Sequence, residues 1–500
     1  LLRKAYSYPS VVLLATLIGV LLLRIGHLWA PTFRDEGIFA YVGQEVLRGY
    51  LPFETVFENK GVFLFYQLAG ALSLFGFGSV AGVRFLGILW VLVATSCFFY
   101  TLKAQYGLRK ATWGTALLSF HWSLNGLQGN YYGSEMFSIP LIMVGLYFGW
   151  CAGRESKWWQ AVAAGVFLSL AVWTRLTSAT FVLSLGVFLV LFSRQGKIQN
   201  TLLYCLGGIA ASLPFLALYA IPGKLSLLHE AYFLFSGIQA SATSIHGGIW
   251  NQLGPLFRVL AENALILLIG VVVVPFTPWW KERADIYWFL HLVAAIFAFS
   301  LTGHYLVKQM QQFYPPLCAL LGVRLATTLG SSDWKKSVAA LLLIVSIGSS
   351  LWRNVPPYYR ISKGDFSQCD PMLVASEKVS AWIRENTTPE DEVYNWGVEW
   401  ELYFRSERRS PVRQINTLAI VLTAIAFHQG FPVEKELAAF QDEVYSSLKS
   451  RPPRIIITTA SIAPSGIEGY DLPPMVAQFV MDHYDFKFKE YELWVFERKP

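Results

Sequence analysis

GVFLFYQLAGALSLFG, residues 61–76, is the stretch whose reading decides the fold. It is apolar enough to enter a membrane, yet shorter than the roughly 20 residues a helix needs to cross the hydrocarbon core. Whether it crosses sets the side on which everything after it lies. Around it lie longer apolar blocks, roughly 17–25 residues each, at 9–29, 79–102, 111–128, 137–152, 160–174, 176–192, 201–221, 259–279, 286–303, 313–329 and 336–352. Helices in such blocks satisfy their own backbone hydrogen bonds, as lipid requires.

Charge decides the question. Cytoplasmic loops collect Lys and Arg. With the N-terminus inside and 61–76 not crossing, the cytoplasmic segments hold Arg3/Lys4, Lys103/Arg109/Lys110, Arg154/Lys157, Arg194/Lys197, Lys281/Arg283 and Lys335/Lys336. The other side keeps only scattered Arg34, Arg48, Lys60, Lys224, Arg258 and Lys308. A crossing at 61–76 would put most of the clusters outside. The stretch therefore reads as an interfacial or re-entrant helix. With about eleven crossings, the C-terminal part lies outside.

Composition agrees. The chain has 500 residues, 54% hydrophobic and 15% charged, where a soluble domain carries about a quarter charged. Mean hydropathy is +0.43. The net charge of +7 does not mark a nucleic-acid binder, because the basic residues sit mostly in short loops between apolar blocks. Cys97, Cys151, Cys205 and Cys318 fall in those blocks and Cys369 in the polar C-terminal part, with neither a disulfide framework nor a CxxC spacing. Arg3 and Lys4 before an apolar run resemble a signal peptide, but no small-residue cleavage site follows, so an uncleaved first span is expected.

The expected architecture is a polytopic α-helical membrane protein of about eleven spans over 1–353, with a soluble extracytoplasmic α/β domain over 354–500. A linker at Pro356 to Tyr359 opens that domain. Helices are expected near 372–386 and 433–449, and strands at 392–397, 454–459 and 491–497.

The first outer loop, 30–78, is the most loaded stretch. It begins with Arg34-Asp35-Glu36 just after the first span and later carries Glu58-Asn59-Lys60-Gly61. Charged groups at the lipid boundary are costly, so they tend to be paired, hydrated or functional. Further candidates are Glu135 at the head of a span, Arg175 in the turn Trp173-Thr-Arg-Leu-Thr, and His304, Tyr305 and Lys308 in the segment 303–315. Each has a plainer reading: Lys60 snorkels at a helix start, Glu135 complements a helix dipole, Arg175 meets lipid headgroups, and His304 caps its span.

The order of these motifs resembles the GT-C class of membrane glycosyltransferases, in the branch of protein-O-mannosyltransferases and lipid A aminoarabinose transferases. In that branch an acidic pair opens the first loop, and an acid-x-Lys or His-Lys-Gly-Pro element follows. Here Asn59-Lys60-Gly61 is followed by Val62 where the branch has Pro. The second outer loop, Gly129 to Glu135, resembles the branch's second acidic position. Gly303-His-Tyr…Pro315 resembles its segment at the outer membrane face, and Trp382 to Gly397 resembles its outer domain.

The resemblance implies an inverting transfer of a sugar from a polyprenyl-phosphate donor to a protein, glycolipid or polysaccharide acceptor at the outer face of the cytoplasmic membrane. It implies Asp35 as general base, with Glu36 or Glu135 assisting. Lys60 is the lead group for the donor phosphate, supported by His304, Tyr305, Lys308 and Arg175, with Arg34 and Glu58 as supporting loop residues. Clustered carboxylates are also the oxygen ligands that a divalent cation takes. The branch argues against a required metal, and no metal ligand is assigned. Membrane lipids are the other expected partner. The rival readings are a transporter or flippase of lipid-linked saccharides, which calls for polar groups deep in several spans or broken helices in matching halves, and a sensor, which needs far fewer spans.

Overall fold

In the computed structural model, the stretch at 61–76 forms the helix Val62–Phe75, of 14 residues. At 1.5 Å per residue it is about 21 Å long, short of a membrane core of about 30 Å. The structure describes residues 9–123, 132–155, 157–238, 282–301, 307–329, 359–415, 433–459 and 474–500, with isolated positions between them. The chain forms two compact units. One comprises Leu1–Leu28, Arg84–Ala217 and Gly247–Lys363, and the other Trp29–Val83, Leu218–His246 and Gly364–Pro500.

The first unit is helical. We label its described helices α1 (Pro9–Ile25), α2 (Val80–Tyr106), α3 (Leu108–Trp122), α4 (Ser134–Glu155), α5 (Trp158–Thr174), α6 (Ala179–Phe192), α7 (Lys197–Ala220), α8 (Arg283–Ser300) and α9 (Tyr314–Thr328). Ser10–Trp29, α2, α4, α7 and α8 are long and apolar enough to cross a membrane, and shorter apolar helices accompany them. The described helices coincide with the expected apolar blocks to within a few residues, and several begin or end on polar residues outside them. The blocks at 259–279 and 336–352 lie outside the described residues, apart from three isolated positions in the second.

Small residues set the packing. A Cβ on Gly165 of α5 would strike the backbone of Tyr204 in α7, and one on Gly207 would strike Val162. A Cβ on Gly322 of α9 would strike Gly114 of α3. Such close backbone approach is how helices associate where lipid removes the hydrophobic drive. Buried arginines tie the helix ends. Arg24 donates to the Trp122 carbonyl at 2.5 Å and the Tyr132 hydroxyl at 3.3 Å, and Arg84 to the His27 carbonyl at 2.8 Å.

In the second unit, the stretch 30–78 carries one helix more than the expected one at 61–76. It holds α10 (Arg34–Leu47), followed by Val62–Phe75, here α11. Gly43 lets the two lie together, since a Cβ there would come within 3.1 Å of the Ala69 nitrogen. The C-terminal segment supplies α12 (Pro371–Asn386), β1 (Val393–Trp396), α13 (Glu401–Ser406), α14 (Glu434–Ser450), β2 (Ile455–Thr458), α15 (Pro474–His483), β3 (Tyr484–Glu490) and β4 (Leu493–Arg498).

The sheet order is β1-β2-β4-β3. β1 and β2 run parallel with Val393 opposite Ile455, β2 and β4 run antiparallel with Ile457 opposite Val495, and β3 pairs antiparallel to β4 with a bulge between Phe486 and Phe488. Met372, Ala375, Val379 and Ile383, one stripe of α12, pack on Val393, Ile455, Ile457, Leu493 and Val495. The spacing of that stripe is the i, i+3, i+4 pattern of a helix laid on a sheet.

Candidate active site

The acidic pair opens α10. Phe33 is its N-cap in extended conformation, and Asp35 and Glu36 lie in the first turn, where carboxylates complement the helix dipole. Their surroundings differ. Glu36 is buried, and its Oε2 accepts the Phe33 N–H at 3.2 Å, satisfying a helix-end donor. Asp35 is half-buried. The helix is buried from Glu36 to Glu45.

Glu58, Asn59 and Lys60 form one cluster. Glu58 Oε1 accepts the Asn59 N–H at 2.9 Å and lies 3.3 Å from Lys60 Nζ. Lys60 also donates to the Asn59 side-chain oxygen. The ammonium stands 5.8 Å from the centre of the Phe39 ring on α10. Asp35 and Phe39 are four residues apart and share a helix face. The two charged ends of the loop are thus brought to one helix.

The C-terminal segment closes around α10. Thr32 donates from its N–H and its hydroxyl to Glu377, at 2.9 and 2.7 Å. Arg34 pairs with Glu399 at 3.3 Å. Tyr41 accepts the Ser410 N–H at 2.9 Å and stacks on Tyr403. Glu45 pairs with Arg48 at 2.5 Å and Arg409 at 3.2 Å. Burial raises the Glu399 carboxyl, against the pull of Arg34. Burial pushes Glu401 up to about 8, with the Glu399 charge adding to the rise and the Ser376 hydroxyl and Arg34 opposing it. Glu377, Glu399, Glu401 and Arg409 were not among the sequence candidates. The available signal was two acids within an aromatic run, Trp396-Gly-Val-Glu-Trp-Glu401.

A second constellation belongs to the first unit. Glu135, at the head of α4, and Arg175, just past α5, form a buried ion pair at 2.9 Å. Arg175 also donates to Ser134 at 2.7 Å and Thr177 at 3.0 Å. Two separate sequence candidates are thus partners. Lys308 lies half-buried in the short turn Val307–Gln312. His304 and Tyr305 lie outside the described residues. Among the described residues, no three His, Cys, Asp or Glu side chains are grouped so as to hold a metal ion.

Comparison with known proteins follows the same lines. Residues 59–219 match the family model described as dolichyl-phosphate-mannose-protein mannosyltransferase. That match includes Lys60, Glu135 and Arg175 and starts after Asp35. No curated protein matches the sequence. Among solved structures, ArnT from Cupriavidus metallidurans bound to undecaprenyl phosphate is similar over 97% of both chains, at 14% identity and a TM-score of 0.62. The same protein in its apo state gives 15% identity and a TM-score of 0.61. The archaeal oligosaccharyltransferase AglB from Archaeoglobus fulgidus, in complex with an inhibitory peptide and a dolichol-phosphate, is similar over 99% of this chain and 75% of that one, at 11% identity and a TM-score of 0.53.

Proposed function

We propose that this chain, a multi-pass membrane protein with the ArnT-like GT-C fold, is an inverting glycosyltransferase that uses a polyprenyl-phosphate sugar. The observation that carries the reading is the placement of Lys60 over Phe39 on the helix that Asp35 opens. A base and a phosphate-binding cation are the two groups such a transfer needs, and one helix carries or contacts both.

In this reading Asp35 accepts the proton of the acceptor hydroxyl as its oxygen attacks the anomeric carbon. General-base help of this kind contributes about 10²–10⁴-fold. The bond from the anomeric carbon to the phosphate oxygen breaks on the opposite face, which inverts the configuration. The electron pair leaves on the lipid phosphate, and Lys60 stabilises the growing charge. Glu36 holds the first turn of the helix, Glu58 orients Lys60, and Glu135 with Arg175 assists. The family resemblance, rather than the geometry, adds His304, Tyr305 and Lys308 as further candidates for the phosphate.

The donor reaches the site through lipid, which accounts for a transferase embedded among many spans. The reading places residues 1–353 as the transferase domain with catalytic loop 30–78, and 354–500 as an extracytoplasmic α/β domain that shapes acceptor access. It sets the protein in the cytoplasmic membrane with about eleven spans and the N-terminus inside. The undecaprenyl phosphate of the ArnT structure and the dolichol-phosphate and peptide of the AglB structure support a lipid-phosphate donor and leave protein among the acceptor classes. The same likeness favours transfer over transport.

The test is turnover in nanodiscs with a panel of polyprenyl-phosphate-linked hexoses and pentoses. Release of the free lipid phosphate, dependent on an added acceptor, is expected for at least one donor. Movement of the intact lipid-linked sugar across the bilayer with no release would support the transport reading instead.

A further inference from the structure

We propose that Glu399, from the C-terminal segment, is a positioning residue that sets the orientation of Asp35 through Arg34. The proposal rests on the reading of Asp35 as the base. It gives the C-terminal segment a part in turnover as well as in acceptor access.

The first turn of α10 is held at three points, all by the same segment of chain. Before it, Thr32 gives both its donors to Glu377, and Glu377 also takes the Arg405 guanidinium at 2.7 Å. Within it, Arg34 meets Glu399 at 3.3 Å. At its end, Gly37 lies so close to the Glu401 backbone that a Cβ would overlap it. Asp35 falls between the second and third points.

Glu399 is built into its place. Its side chain is 2% exposed. Its Oε2 accepts the Val398 N–H at 3.0 Å, and its carbonyl accepts from the Asn395 side chain at 3.3 Å. Asn395 is itself fixed, its N–H donating to the Tyr403 hydroxyl at 2.7 Å. Gly397 leaves the carboxylate its room, since a Cβ there would come within 2.5 Å of Oε2.

Removing a carboxylate from water is costly, and an apolar side chain of similar size would pack at less cost. A pinned carboxylate facing the residue next to the base instead supplies a fixed direction. Small displacements of a reacting group cost large factors in rate.

The test uses the full chain in nanodiscs with Glu399→Gln, Arg34→Gln and the exchanged pair Arg34→Glu/Glu399→Arg. Three quantities are measured: kcat and KM for the polyprenyl-phosphate sugar, melting temperature, and hydrogen exchange of the amides at 34–38. Each single variant is expected to lose roughly 10–100-fold in kcat, with donor KM within about two-fold, and to exchange faster at 34–38. The exchanged pair is expected to recover part of both. A purely structural role would lower the melting temperature and leave kcat of the folded fraction intact. If Glu399→Gln fails to fold, Arg34→Gln tests the same contact from its exposed side. Wild-type kcat in a folded single variant overturns the proposal. If the wild-type chain transfers no sugar from any donor, the transferase reading fails, while unchanged exchange at 34–38 in the variants separately overturns the clamp.

Discussion

Lys60 Nζ stands 5.8 Å from the centre of the Phe39 ring, one helical turn along the face that begins at Asp35. A cation over an aromatic face gains about 0.5–2 kcal/mol, and the Glu58 carboxylate at 3.3 Å adds a second hold. With the Asn59 side-chain oxygen, the ammonium is therefore placed by three contacts and retains part of its surface, at 22% exposure.

Replacing Lys60 by Met removes the charge and keeps much of the stem. Binding of polyprenyl phosphate is expected to weaken by roughly 10–100-fold, the worth of a charge-assisted hydrogen bond. Lys60→Arg is expected to retain part of the affinity. Titration of purified protein with the lipid phosphate checks both.

The Glu135–Arg175 pair predicts a separable pattern. Breaking a buried pair from one side leaves an uncompensated charge and costs about 3–5 kcal/mol. Glu135→Gln and Arg175→Gln are each expected to lower the melting temperature, and the double variant to recover most of that loss. Transfer activity is expected to stay low in the double variant, because the proposed assistance to chemistry is gone. Recovery of stability and activity together would leave the pair a purely structural tie.

Much of the helical layout was legible in the sequence because apolar blocks declare themselves one by one. The α10 helix was not. It is buried from Glu36 to Glu45, polar residues included, so what it buries goes beyond the residues that an apolar pattern marks. Besides α11, its burial partners lie 360 to 369 residues further along the chain, where no local pattern reaches. Glu399 and Glu401 escaped for the same reason, since the cation that faces them is Arg34. Strand β3 was not expected, although Phe486 and Phe488 alternate with charged residues in YDFKFKE, a readable period of two.

Glu401 gives a pH prediction. Its carboxyl is raised from the ordinary 4.5 to about 8, so the folded chain keeps a proton that the unfolded chain has lost. Its contribution to stability is full below about 4.5 and is lost as pH rises towards 8. Glu401→Gln is expected to flatten that slope and to be more stable than wild type by about 1–3 kcal/mol above pH 8. Thermal melts in detergent between pH 5 and 9 check it, and an unchanged slope would mean that Glu401 is ionised across the range.

The most direct measurement on the central claim is the turnover of Asp35→Asn with a polyprenyl-phosphate sugar, in nanodiscs, at matched expression and melting temperature. The substitution keeps shape and removes the base. The account predicts a fall in kcat of about 10²–10⁴-fold, with binding of the lipid phosphate unchanged. Wild-type turnover in that variant would contradict it and remove Asp35 from the reaction.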